Sequence, residues 1–263
     1  MEDITIYENL TDLMPLNVGQ IVAYDYRTAD VFKKNNIDFC CGGKASLFEA
    51  CTKKNINPDT VAGELIKVLA APSLPSQNFN IWEPGFLTDY IVNTHHNYVR
   101  ISVDILNAYL QKLVKVHGER HPELGSIQAY FISLTNELLP HIEKEETVLF
   151  PFIRQLVEKG RSVLGVRRVS LEGPIACMEQ EHDYAGKIMQ TISKLSNNYT
   201  PPDDACTTYS VCYMKLKEFE TDLLQHIHLE NNILFPKALA LLEEEDAVPE
   251  PASCSIPINL HAN

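Results

Sequence analysis

The 263-residue sequence has no run of about 18 apolar residues, so no membrane-spanning helix is expected. Its start, MEDITIYENL, lacks the basic and apolar regions of a secretory signal. Basic residues are scarce: 22 Lys+Arg stand against 35 Asp+Glu, for a net charge of −13. That balance repels nucleic acid and anionic membranes at long range, so neither is an expected partner. The seven cysteines (Cys40, Cys41, Cys51, Cys177, Cys206, Cys212 and Cys254) form no pair of CxxC motifs, which removes most zinc-ribbon readings. Their odd number and irregular spacing argue against a disulfide framework, and the reducing cytoplasm is the expected compartment. Strand-like alternation is nearly absent.

What the chain does have is helical periodicity. One stretch, AAPSLPSQNFNIWEPG (residues 70–85), concentrates Pro72, Pro75, Pro84 and Gly85 and breaks that pattern. It divides the sequence into a small N-terminal helical domain (1–70), a linker (71–85), a long helical region (86–242) and a disordered tail (243–263). In the first part Val61, Leu65, Val68 and Leu69 share one helical face, with Asp59 as the expected N-cap. The long region holds four segments of helical spacing, about residues 85–117, 123–158, 172–195 and 206–242, joined by turn-rich connections. The expected fold is therefore all-α, with an up-down-up-down four-helix bundle as its larger part.

Within the bundle one motif occurs twice. HIEKEETVLFP starts at His141 and HIHLENNILFP at His226; both read His-x-x-x-Glu-x-x-x-Leu-Phe-Pro. A lone histidine precedes each by nearly the same interval: His96 in HNYV and His182 in HDYA. Residues i and i+4 share a helix face, so His141 with Glu145, and His226 with Glu230, can each aim an imidazole and a carboxylate at one point. His96 and His182 add one imidazole each. The sum is four imidazoles and two carboxylates able to bridge, a donor set for two metal ions with room for an oxo or hydroxo bridge. Nitrogen and oxygen donors without thiolate suit iron or manganese. Six polar groups facing a core are costly unless neutralised, which a metal would do. Pro151 and Pro236, each six residues past the repeat's Glu, predict a shared bend or a shared helix end. The ferritin pattern needs two Glu-x-x-His elements, and only Glu179 with His182 supplies one. His95 lies about 100° around the helix from His96, so only one of them can face the site. His228 falls on another face than His226, and His117 and His121 are expected in an exposed loop. Core packing is the expectation for Cys51, Cys177, Cys206 and Cys212.

The four-helix pattern resembles the hemerythrin-like domains, and NNIDFCCGGKASL (residues 35–47) resembles the signature of the ScdA-type N-terminal domain. In this order, with MEQEHDYAG at 178–186 and NNYTPPDDACTTY at 197–209, they resemble the repair-of-iron-centres proteins over about residues 16–242. The resemblance implies His96, His141, Glu145, His182, His226 and Glu230 as ligands of two non-haem irons. It further implies a cytoplasmic role restoring iron-sulfur clusters damaged by nitric oxide or hydrogen peroxide. Proteins carrying such clusters are the implied partners; the oligomeric state, a homodimer included, stays open. Glu181 matches an acidic residue of the family with an implied proton or iron route, against the alternative of a plain surface carboxylate. Oxygen-carrying hemerythrins place a second histidine four residues after the third helix's ligand, where this chain has Gly186, and end in His-x-x-x-x-Asp. Those departures disfavour oxygen storage. Reduction of nitric oxide or peroxide at the same centre remains the alternative, and an oxygen-binding or sensing module a third. The vicinal Cys40 and Cys41, followed by Gly42 and Gly43, are a candidate thiol pair for iron transfer or redox exchange. The glycines allow a close backbone approach or a positive φ, and a packed turn is the structural alternative.

Overall fold

The computed structural model describes residues 10–71, 78–164 and 169–242. The tail and residues 72–77 of the expected linker lie outside them. Five short helices come first: α1 (Leu10–Leu13), α2 (Val18–Tyr24), α3 (Ala29–Lys34), α4 (Leu47–Lys54) and α5 (Pro58–Ala70). Ser46 caps α4, accepting from the Glu49 N–H while the Glu49 carboxylate accepts from the Ser46 N–H. The N-cap of α5 is Asn57, whose side chain accepts from the Asp59 N–H. Asp59 itself belongs to the first turn. The expected cap is two residues too late because Pro58, with φ already helical and no N–H to satisfy, opens the helix.

Four rods follow. The first is α6 (Pro84–Ile91), a π-helical turn (Val92–His96) and α7 (Asn97–His117). The second is α8 (Glu123–Lys144), a π turn (Glu145–Leu149) and α9 (Phe150–Leu164). The third is α10 (Val169–Leu195), and the fourth is α11 (Thr207–Leu229), a π turn (Glu230–Leu234) and α12 (Phe235–Ala240). Helix α8 packs between α7 and α10, and α11 closes the ring against both, giving an all-α up-down-up-down bundle.

The prolines produce neither of the expected outcomes alone. The second and fourth rods run on as helices through Pro151 and Pro236, each directly preceded by a π turn that ends on Phe150 or Phe235. In an α-helix the proline would cost a hydrogen bond and its ring would press on the carbonyl four residues back. The wider i→i+5 turn relieves that crowding, and the Phe150 and Phe235 N–H groups bond back to Glu145 O and Glu230 O.

The apolar core has two parts. In one, Phe32, Phe39 and Leu65 of the N-terminal region join Leu106, Phe131 and Tyr213 of the bundle in a continuous cluster. The other gathers Leu87, Ile91, Phe150, Ile153, Leu229 and Phe235 around the π turns. A polar centre lies where they meet.

Candidate metal centre

The four rods bring His96, His141, Glu145, His182, His226 and Glu230 together, every one of them buried. They form two overlapping groups that share both carboxylates: His96, His226, Glu145 and Glu230, and His141, His182, Glu145 and Glu230. The Nε2 atoms are 3.2 Å apart in the first imidazole pair and 3.0 Å apart in the second. Each carboxylate spans the two pairs. Glu145 turns Oε2 toward His96 Nε2 and Oε1 toward His141 Nε2, both at 3.4 Å. Glu230 turns Oε1 toward His226 Nε2 and Oε2 toward His182 Nε2, both at 3.0 Å.

The opposite edge of three rings is held from outside. His96 Nδ1 meets Glu146 Oε1 at 2.8 Å, and Arg100 donates to both oxygens of that carboxylate. His141 Nδ1 meets Glu181 Oε2 at 2.7 Å, and Lys144 donates to the other oxygen. His182 Nδ1 meets Asn231 Oδ1 at 2.8 Å, an amide whose Nδ2 faces the Cys40 carbonyl. A ring that donates its Nδ1–H to such an acceptor presents a bare Nε2 on the other side. The second repeat thus reproduces the first one residue past the glutamate, with Asn231 standing for Glu146. The Phe of each Leu-Phe-Pro backs a lone histidine: Phe150 stacks on His96 at 5.7 Å and Phe235 on His182 at 6.2 Å.

Three features fit a cation pair between the imidazoles. His141 and His182, both held at Nδ1, bring their Nε2 atoms to 3.0 Å of each other. Glu145 Oε1, Glu145 Oε2 and Glu230 Oε2 receive no hydrogen bond although fully buried. Such orphaned groups are costly unless a cation meets them. Third, the donors are all imidazole nitrogens and carboxylate oxygens, a set suited to iron or manganese. Burial opposes a charged imidazole here, yet Glu145 and Glu230 raise His141 to about 9 and move His96 in the same direction. Burial lowers His226. Burial also works against the two carboxylates, but the surrounding imidazoles hold Glu145 low and Glu230 well below its ordinary value.

The Cys40-Cys41 turn lies directly beside this centre. Its Sγ atoms are 3.7 Å apart, and Asp38 Oδ1 accepts from the N–H groups of both cysteines and from Cys40 Sγ at 3.3 Å. The three side chains form a further potential metal-holding group. Its partner Cys41, then burial, pushes the Cys40 thiol well up. A Cβ on Gly186 would meet Cys41 Sγ at 3.6 Å, so the place of the second hemerythrin histidine borders this thiol. Gly43 is there for close approach and has no positive φ: a Cβ would press on Phe39 O at 2.7 Å and on the Asn232 side chain.

Residues 88–238 match the family model of the hemerythrin HHE cation-binding domain, and residues 16–69 match ScdA_N, a domain described as of unknown function. The iron-sulfur cluster repair protein YtfE of Enterobacter sp. (strain 638) is 34% identical over 223 residues, 85% of this chain and 96% of that protein. The proteins of the same name from Escherichia coli O81 (strain ED1a) and Escherichia fergusonii match with the same identity and coverage. This chain is a member of the iron-sulfur cluster repair protein family.

Several residues that the sequence left aside contribute to the repair-family site. Glu146 and Asn231 are visible only once the duplicated motifs are superimposed, one position beyond each glutamate. His95 is buried, stacked 5.8 Å from His226 and bonded to Asp222 at 2.9 Å, and it joins neither imidazole pair. His228 is buried among Tyr26, Phe39 and Asn232, with burial pushing it down to about 3. It lies where the N-terminal region meets the fourth rod. His117 is buried rather than exposed, because α7 extends through it and Tyr209 covers its ring. Cys177 and Cys206 are exposed rather than core: Cys177 faces outward on α10, and Cys206 precedes the first turn of α11.

Proposed function

We propose that the protein repairs iron-sulfur clusters damaged by nitrosative or oxidative stress, in the cytoplasm, using two non-haem irons. His96 and His226 would hold one and His141 and His182 the other, with Glu145 and Glu230 bridging both. The observation that carries this reading is the pair of buried carboxylates, each with one oxygen turned toward each imidazole pair. When bound, the iron pair would supply iron for a damaged cluster.

The chain's own residues do the rest. Glu146, Glu181 and Asn231 orient three imidazoles, and the apolar rings of Phe150 and Phe235 keep water from two of them. Glu181 reaches from His141 to the surface at Lys144, with one-quarter of its side chain exposed. A space of about 10 Å³, room for roughly one water, adjoins it, lined by Leu138, His141, His182 and Tyr184. The Glu181 carboxylate thus links His141 to the surface, which supports a transfer role for it. Cys40 and Cys41 would receive iron, with Asp38 as a third donor. A cavity of about 240 Å³ beside them opens to solvent, where the cluster of a client protein would approach.

Purified protein should contain about one iron per imidazole pair, with the absorption of a bridged di-iron centre. It should reactivate a nitrosylated cluster enzyme with stoichiometric loss of iron. Steady consumption of nitric oxide or peroxide with an electron donor, without iron loss, would instead establish a reductase. Cys40→Ser and Cys41→Ser should keep the iron but lose reactivation. Retention of full reactivation by both would remove the thiols from the pathway.

A further inference from the structure

A second chemical site lies at the far end of the bundle. Helix α7 spans Asn97–His117, about 30 Å from the metal centre to its end. There His117, 6% exposed, directs Nε2 at Cys206 Sγ across 3.3 Å. Its Nδ1 is buried and has no partner, so the thiol is the one group that answers this imidazole among the described residues. Cys206 is exposed and is the N-cap of α11, a 23-residue helix, yet its side chain makes no capping bond. The sulfur therefore meets solvent on one side, the positive end of a long helix on a second, and a buried imidazole on a third.

The surrounding groups leave this pair intact. Tyr209, fully buried, lies edge-on to both His117 (5.5 Å) and His121 (5.6 Å) and fixes the first ring. His121 is occupied by Glu123 at 3.1 Å and Asp204 at 2.9 Å. Asp204 is further taken by Arg120 at 2.8 Å. The nearby acids are thus engaged with groups other than His117. None of this is needed to pack a helix end, where an alanine or serine would serve.

We propose that Cys206 is a nucleophilic thiol activated by His117, and that it is a site of covalent modification by hydrogen peroxide or a comparable small electrophile. His117 takes the Sγ proton, and the helix terminus stabilises the thiolate. The thiolate attacks one peroxide oxygen, forming the S–O bond as the O–O bond breaks. The departing hydroxide leaves as water with the imidazolium proton. Sulfur is oxidised by two electrons to a sulfenic acid and one peroxide is reduced. The centre of four imidazoles takes no part, so this modification is independent of the repair reading.

The test uses the full-length, iron-loaded protein. Iodoacetamide alkylation at pH 7 is followed cysteine by cysteine by peptide mass spectrometry, with N-acetylcysteine as the reference thiol. Sulfenic acid formed by peroxide is trapped with a 1,3-diketone. Cys206 should react at least about tenfold faster than the reference and than exposed Cys177. His117→Gln should bring Cys206 down to the reference rate while leaving Cys177 and the iron content unchanged. In the wild type, the diketone adduct formed after peroxide should be greater at Cys206 than at exposed Cys177. This second measurement stands even where His117→Gln does not fold. A wild-type Cys206 that alkylates no faster than N-acetylcysteine, or an unchanged rate in a folded His117→Gln, overturns the proposal.

Discussion

His96, His141 and His182 each have one nitrogen fixed by Glu146, Glu181 or Asn231, and the other nitrogen is thereby committed to the interior. Such outer partners commonly account for 10–100-fold in metal affinity, because they set both tautomer and ring direction. Glu146→Ala should therefore weaken iron retention by about that factor, read as faster loss to a competing chelator. Arg100 loses its partner in the same variant, so Arg100→Ala serves as the control and should retain iron far better. Equal retention by wild type and Glu146→Ala would mean that the carboxylate only neutralises Arg100. The six inward residues were legible in the sequence because types and spacings repeat. Glu146 and Asn231 were not, since an acid and an amide at equivalent positions resemble each other only through the shared hydrogen bond.

At the scale of the element, the π turns explain why Leu-Phe-Pro follows each His-x-x-x-Glu. Five residues along an α-helix, Phe150 would lie about 140° from Glu145. An i→i+5 turn returns it to the same side, where it stacks on His96. Deletion of Val148, 67% exposed and without a core role, tests this. It should force an α turn, which leaves Phe150 four residues past Glu145 and on the same side, but sets Pro151 inside a regular helix at a cost of about 3 kcal/mol. The expected reading is a lowered melting temperature, with Val148→Ala close to wild type. A deletion variant that melts with the wild type would show that the π turn does not serve the proline. The four rods could be drawn from apolar periodicity, with ends displaced by a few residues. The π turns could not, because two prolines in equivalent places announce only that a regular helix is interrupted.

For the molecule as a whole, the decisive contact is the seat of the Cys40-Cys41 turn on the fourth rod. Asn232 Nδ2 donates to Phe39 O at 3.2 Å and Cys40 O at 3.1 Å, and reaches His228 Nδ1 at 3.0 Å. Lys44 reaches Glu179 at the rim, an exposed pair of a kind that contributes little, and Lys33 reaches the buried Glu220. Asn232→Ala leaves two carbonyls and a ring nitrogen without this donor, a loss of about 1–3 kcal/mol. Hydrogen exchange in residues 35–47 should rise while the bundle is unchanged. Unaltered exchange there would show that apolar packing alone seats the turn. Composition and motif order implied two helical parts, but not that they share one core. Asn232, Gly19 and Gly43 meet across nearly the whole chain length, and nothing local marks such a contact. The account as a whole depends on two cations lying between the imidazole pairs. Anomalous diffraction at the iron edge from crystals of the iron-loaded protein tests that most directly. Two peaks are expected, one between His96 and His226 and one between His141 and His182, with both glutamates adjoining each. A single peak, or iron bound only at Asp38, Cys40 and Cys41, would contradict it.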